Sequence, residues 1–234
     1  MSDLLEYQAI QKLFGEKWLY DPKNKNHPLF THGDETYILN SLNEYLDFIG
    51  KIRKRTIGHL KNKYGTQFWD TYSELEVAYF LKKHGLEPRL DEPICGKEPD
   101  IFLEEEELVI EVKNLHIPQK INESAKRLIP NSKVHDTPNG FDTSMHIERM
   151  LSSLEQKFQN IYPNIVCFCP ETSSEKLTGN CDDLKGLIER HRISEKVSAL
   201  AIWRQKRIEC LFENPYGKKI KWESSELKRF FSMT

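Results

Sequence analysis

The chain has 234 residues, of which 30% are charged and 38% hydrophobic, and its formal charge at neutral pH is −2. This composition is ordinary for a globular protein and allows one large domain, or a domain with an appendage. No run approaches the roughly 18 apolar residues of a membrane span. The opening MSDLLEYQAIQKLFGEKW is unlike a leader peptide. Cys95, Cys167, Cys169, Cys181 and Cys210 lack CxxC spacing, so reduced thiols and a cytoplasmic protein are expected.

In chain order, residues 3–18 are expected to be helical. So are residues 35–64, where Ile38, Leu39, Leu42, Tyr45, Leu46, Ile49 and Ile52 recur at helical spacing. Between them lies the connector YDPKNKNHPLFTHGDE, with an N-cap in the Asp34 region. Gly65 breaks the pattern, and a third helix over 66–84 stops at Gly85. LEPRLDEPICGK reads as extended or loop, leading into strands at 99–104 and 107–113 around a glutamate turn. Residues 114–140 show little periodicity and read as a long loop, of a length that is usually functional or mobile. A helix at 142–160, the strand NIVCFC at 164–169 and a helix at 181–192 follow. Two strands around Gln205-Lys206 and a helical turn at ELKRFF complete the order. It predicts an α/β domain over residues 66–234, with a mixed central sheet flanked by helices, behind an N-terminal helical extension over 1–65.

Charge is unevenly spread along this order. Residues 51–63 carry Lys51, Arg53, Lys54, Arg55, Lys61 and Lys63 without an acid, which reads as a polyanion-binding face or a solvated helix face. Residues 98–114, EPDIFLEEEELVIEVKN, hold the opposite charge. If Glu104 to Glu107 form a hairpin turn, pairing sets Asp100 opposite about Ile110 or Glu111. Glu111 and Lys113 are two apart on one strand and share a face, while Leu108, Ile110 and Val112 occupy the buried one. Asp100, Glu111 and Lys113 therefore converge at one end of a sheet. Two carboxylates there suit a hard divalent cation such as Mg²⁺. A neighbouring ammonium could orient an attacking water, or assist proton movement if its pKa is depressed. The bland alternative is a salt bridge on an edge strand.

Pro99-Asp100, a hairpin, and then Glu111-Val112-Lys113 resemble the PD-(D/E)xK nuclease superfamily, the fold of many restriction endonucleases and archaeal Holliday-junction resolvases. SELEVAYFLKKHG at 73–85 looks like that family's first core helix, which usually brings one more glutamate to the site. The resemblance implies a restriction-endonuclease-like core. It also implies metal binding by Asp100 and Glu111, with the Val112 carbonyl a further ligand and Lys113 the catalytic lysine. For the helix glutamate, Glu74 shares a face with Ala78, Leu81 and Gly85 and is chosen. Glu76 falls away from that face and completes a Ser73-x-x-Glu76 capping box.

These readings make the chain a Mg²⁺-dependent endonuclease, with Mn²⁺ a substitute ion and DNA the favoured substrate, although the sequence does not discriminate DNA from RNA. A homodimer, which would cut two strands, is compatible with this. The alternative is a nucleic-acid-binding or scaffold module that keeps the fold without turnover. Weaker candidates are Lys157 and Gln159, His116 and His146, and the loop bases Lys120, Lys126, Arg127 and Lys133, each against a solvated-surface reading. A zinc site using Cys167, Cys169 and Cys181 or a histidine is the alternative to small buried side chains.

Overall fold

The computed structural model describes residues 4–31, 35–50, 52–62, 66–115, 143–154, 157–158, 161–170, 181–190 and 193–231. Before the sheet, the chain forms α1 (Gln8–Phe14), α2 (Glu16–Leu19), α3 (Pro28–Thr31), α4 (Glu35–Ile49), α5 (Lys54–Leu60) and α6 (Gln67–Lys83). The strands are β1 (Pro88–Leu90), β2 (Ile101–Leu103), β3 (Leu108–Leu115), β4 (Asn164–Pro170), β5 (Ala199–Arg204) and β6 (Arg207–Glu213). They are joined by α7 (Thr143–Leu154) between β3 and β4 and α8 (Cys181–Glu189) between β4 and β5, and α9 (Ser225–Phe231) follows β6. The strands make a six-stranded sheet in sequential order. Neighbours β1–β2–β3 are antiparallel, β3–β4–β5 parallel, and β5–β6 antiparallel.

Period-two alternation sorts the central strands onto two cores. On β4, Ile165, Cys167 and Cys169 pack with Val77, Ala78 and Leu81 of α6 and Leu227, Phe230 and Phe231 of α9. Val166 and Phe168 face the other way, onto Ile147, Leu151 and Leu154 of α7 and Leu184 and Leu187 of α8. A strand buried on both faces favours apolar side chains, which is why NIVCFC carries no charge and its one side-chain amide, Asn164, is hydrogen-bonded. The architecture is thus α/β, with a mixed sheet covered by helices on both sides.

The N-terminal helices have their own apolar cluster, but α6 completes it. Leu75 and Tyr79 pack with Ile10, Leu42, Tyr45 and Leu46, while Val77, Ala78 and Leu81 of the same helix pack on the sheet. The position of α6 is therefore fixed from both sides.

Two sequence expectations are corrected. The helix expected over 35–64 divides after Ile49, because Gly50 adopts φ of 84° and turns the chain out of the helix. Residues 3–18 divide likewise at Gly15, with φ of 75°. The segment expected to be extended or loop is extended where the edge strand β1 runs, starting at Pro88, where a missing N–H is tolerated. The expected cap at Asp34 lies outside the described residues. Among the described residues, no helix is long and apolar enough to cross a membrane.

The cysteine reading is also corrected. Cys181 and Cys210 form a disulfide joining α8 to β6, so the thiols are not all reduced. Cys167 and Cys169 are free, buried, and on the α6 side of β4, whereas Cys181 packs in the opposite core. That separation removes the zinc site built on Cys167, Cys169 and Cys181.

Candidate active site

The β2–β3 register pairs Ile101 with Ile110. Extended by one residue, it sets Asp100 across from Glu111. Both carboxylates are buried, Asp100 with 7% and Glu111 with 1% of its surface exposed. Asp100 Oδ2 accepts a hydrogen bond from the Val112 amide at 2.9 Å and another from Lys113 Nζ at 2.6 Å. Lys113 Nζ also donates to the Val112 carbonyl at 2.8 Å and lies 3.4 Å from Glu111 Oε2. One ammonium thus touches the aspartate, the glutamate and the intervening main-chain oxygen.

Glu111 is the uncomfortable member. Among the described residues, neither of its buried carboxylate oxygens accepts a hydrogen bond. Burial, and then the Asp100 charge, push its pKa from 4.5 up to about 8, with Lys113 and Lys157 only partly opposing them. Protonation would also let it donate a hydrogen bond to Asp100. For Lys113, burial alone would lower the pKa. The charges of Asp100 and Glu111 and the hydrogen bond to Asp100 outweigh it, so the ammonium is held above its ordinary value. The depressed pKa that proton movement by Lys113 would need is therefore not found in this state, which leaves the orienting role.

Two further groups face the cluster. Lys157 Nζ lies 3.9 Å from both Asp100 Oδ1 and Glu111 Oε2, with its side chain 49% exposed against 19% for Lys113. Its backbone is fixed because Phe158 is buried beside it and the Phe158 carbonyl accepts from Lys97 Nζ at 2.7 Å. Glu74, on α6, is half-buried. Burial raises its pKa well above the ordinary value, followed by the Asp100 charge, with Lys113 offsetting part of the shift.

Glu76 does something else. Its carboxylate accepts from Tyr45 Oη at 2.8 Å and Trp203 Nε1 at 2.7 Å, tying the N-terminal helices to β5 through α6. The expected Ser73–Glu76 capping box is corrected. The helix begins at Gln67, which leaves Ser73 in its interior, and Ser73 Oγ instead donates to Asn114 Oδ1 at 3.0 Å. Asn114 Nδ2 donates in turn to the Trp69 carbonyl at 2.6 Å. This bridge locks α6 against β3 one residue from Glu74 and one from Lys113.

Sequence reasoning missed Asn114, Lys97 and Asp91. The Asp91 amide donates to the Asp100 carbonyl at 3.2 Å, and its carboxylate accepts from Thr56 Oγ1 of α5 at 2.6 Å. The basic run therefore sits beside the site, but two of its members are engaged within the chain. Arg53 donates to the Asp91 carbonyl and Arg55 pairs with Glu98. Lys61 lies over the Phe14 ring, whereas Lys54 is exposed. Lys51, Lys63, His116, Gln159, Lys120, Lys126, Arg127 and Lys133 lie outside the described residues. So does the side chain of His146, although its backbone belongs to α7.

Two buried carboxylates and a main-chain carbonyl form an all-oxygen donor set, the chemistry a hard divalent cation takes. The two buried Glu111 oxygens, which accept no hydrogen bond among the described residues, fit such a group. Among the described residues, no three His, Cys, Asp or Glu side chains are drawn together tightly enough to hold a metal ion by themselves. Compared with known proteins, the chain matches no family model, no curated protein and no solved structure.

Proposed function

We propose that the protein is a metal-dependent endonuclease with a restriction-endonuclease-like PD-(D/E)xK core, hydrolysing phosphodiester bonds with DNA as favoured substrate. The observation that carries this reading is the convergence of Asp100, Glu111 and the Val112 carbonyl at one buried point, with two lysines beside it. Asp100, Glu111 and the Val112 carbonyl are the groups that would hold Mg²⁺, or Mn²⁺ in its place, and Glu74 would add a ligand or a contact to water. Bound there, the ion would supply a more acidic water and offset charge on a phosphate oxygen. Lys113 would position the attacking water by donating to it, and Lys157, more exposed, would donate to a phosphate oxygen. Lys54, and with it Lys51, Lys63 and the basic residues of the 119–133 stretch, would contact the nucleic-acid backbone, a contribution that weakens with salt.

The test is incubation of purified protein with plasmid, linear duplex, single-stranded DNA and RNA, with Mg²⁺, Mn²⁺ or chelator. Metal-dependent cleavage that disappears in Lys113→Ala is the expected result. Cleavage that persists in that variant, or none on any substrate, would overturn the reading. The same residues support a second one, a nucleic-acid-binding module without turnover, because the Lys113 ammonium already fills the space between the carboxylates. Substrate binding without cleavage in the presence of Mn²⁺ would select it.

A further inference from the structure

The position of the Lys113 ammonium has a consequence that a catalytic lysine alone does not require. Its three contacts, Asp100 Oδ2, the Val112 carbonyl and Glu111 Oε2, are the same three groups that would hold the divalent ion. An ammonium has three donors and no acceptor, so a pocket of three oxygens suits it as it suits a metal. Without a cation, Asp100 and Glu111 would face one another across a site screened from water, where like charges repel strongly. Lys157 does not hold this seat: at 3.9 Å it reaches each carboxylate only at ion-pair range.

We infer that Lys113 is the resident cation of this site, seated on the metal's own ligands, and that divalent ion binding proceeds by exchange, displacing the ammonium from Asp100 and the Val112 carbonyl. The inference rests on the metal-site reading above and adds a regulatory feature to it. In the resting site the ammonium is held on these oxygens, and it becomes free to meet water or phosphate only when it leaves its seat. Catalytic lysine and resting-state plug are then one group in two positions. No covalent bond changes in this step.

The test is calorimetric titration of Mn²⁺ into wild type, Lys113→Met and Lys157→Met. Removing either lysine deletes one positive charge near the carboxylates, so Lys157→Met reports the effect of charge alone, and the excess in Lys113→Met reports competition for the seat. Lys113→Met is expected to bind Mn²⁺ at least about tenfold tighter than wild type and clearly tighter than Lys157→Met. Equal or weaker binding in Lys113→Met would overturn the exchange while leaving the metal site standing. No binding by any of the three proteins would remove the metal reading itself, and the inference with it. Should Lys113→Met fail to fold, the wild type answers alone. The ¹⁵N–¹H signal of the Lys113 ammonium, protected by its hydrogen bonds, is expected to lose that protection as Mg²⁺ is added. A signal unchanged at saturating Mg²⁺ would overturn the inference.

Discussion

The β2–β3 hairpin carries acidic side chains at both ends, and the two ends differ in everything but charge. At the turn, Glu104, Glu105 and Glu107 are exposed, Glu107 adopts φ of 51°, and its amide donates to the Glu104 carbonyl at 3.1 Å. Glu104 pairs with Arg89 and Glu107 with Lys221, all of them open to solvent. At the other end, Asp100 and Glu111 are buried and share one ammonium, and burial together with the Asp100 charge raises the pKa of Glu111. Acid count would favour the turn as a cation site. Burial favours the opposite end, because a carboxylate withdrawn from water needs a counter-charge and a solvated one does not.

The largest expected contrast is in turnover. Asp100→Asn keeps the shape of the site but removes the charge that holds Lys113. It should lower metal-dependent cleavage by about 10²–10⁴-fold, a range typical of losing one positioned catalytic group, while Glu104→Gln/Glu107→Gln leaves the rate unchanged. Plasmid-nicking rates at fixed Mg²⁺ give both numbers.

The next contrast is in stability against pH. The folded-state pKa of Glu111 is raised to about 8 from 4.5. Its proton therefore stabilises the native state fully below pH 4.5, and that stabilisation is lost as pH rises towards 8. Between those values the unfolded chain has released a proton that the native chain keeps. In metal-free protein the unfolding free energy should fall by up to about 1.4 kcal/mol per pH unit from this group. Glu111→Gln should remove that slope in denaturant titrations at pH 5, 6, 7 and 8.

Glu74 and Glu76 divide the same way on α6. Glu76→Ala leaves Tyr45 Oη and Trp203 Nε1 without their acceptor and should destabilise the fold by about 1–3 kcal/mol. Cleavage per folded molecule should hold. Glu74→Gln should do the reverse, with cleavage reduced and thermal stability kept or raised. The smallest effect belongs to the turn: the Glu104→Gln/Glu107→Gln protein should melt with the wild type, since exposed pairs contribute little.

The site's local geometry was legible in the sequence because it rests on short-range rules. Alternation puts Glu111 and Lys113 on one face, and a tight glutamate turn brings Asp100 back to them. The α/β order was legible for the same reason, from helical spacing in α4, the Gly85 stop after α6 and the uncharged run of β4. What stayed hidden depends on partners far along the chain. Glu76 looks like a capping residue until Tyr45 and Trp203, 31 and 127 positions away, are seen to donate to it. Asn114 looks like the start of a loop until α6 brings Ser73 and Trp69 against it. The break at Gly50 was masked because Ile49 and Ile52 both pack on the N-terminal cluster, so apolar spacing continues across a chain that has left the helix. The Cys181–Cys210 pair could not be read from spacing, since α8 and β6 meet only in the folded sheet.

Anomalous scattering from crystals grown with Mn²⁺ shows directly whether Asp100, Glu111 and the Val112 carbonyl hold a divalent cation, as proposed. A peak in contact with both carboxylates and the carbonyl, with the Lys113 ammonium moved away, is the predicted result. Manganese bound elsewhere, or no peak while Lys113 keeps its seat at saturating Mn²⁺, would contradict it.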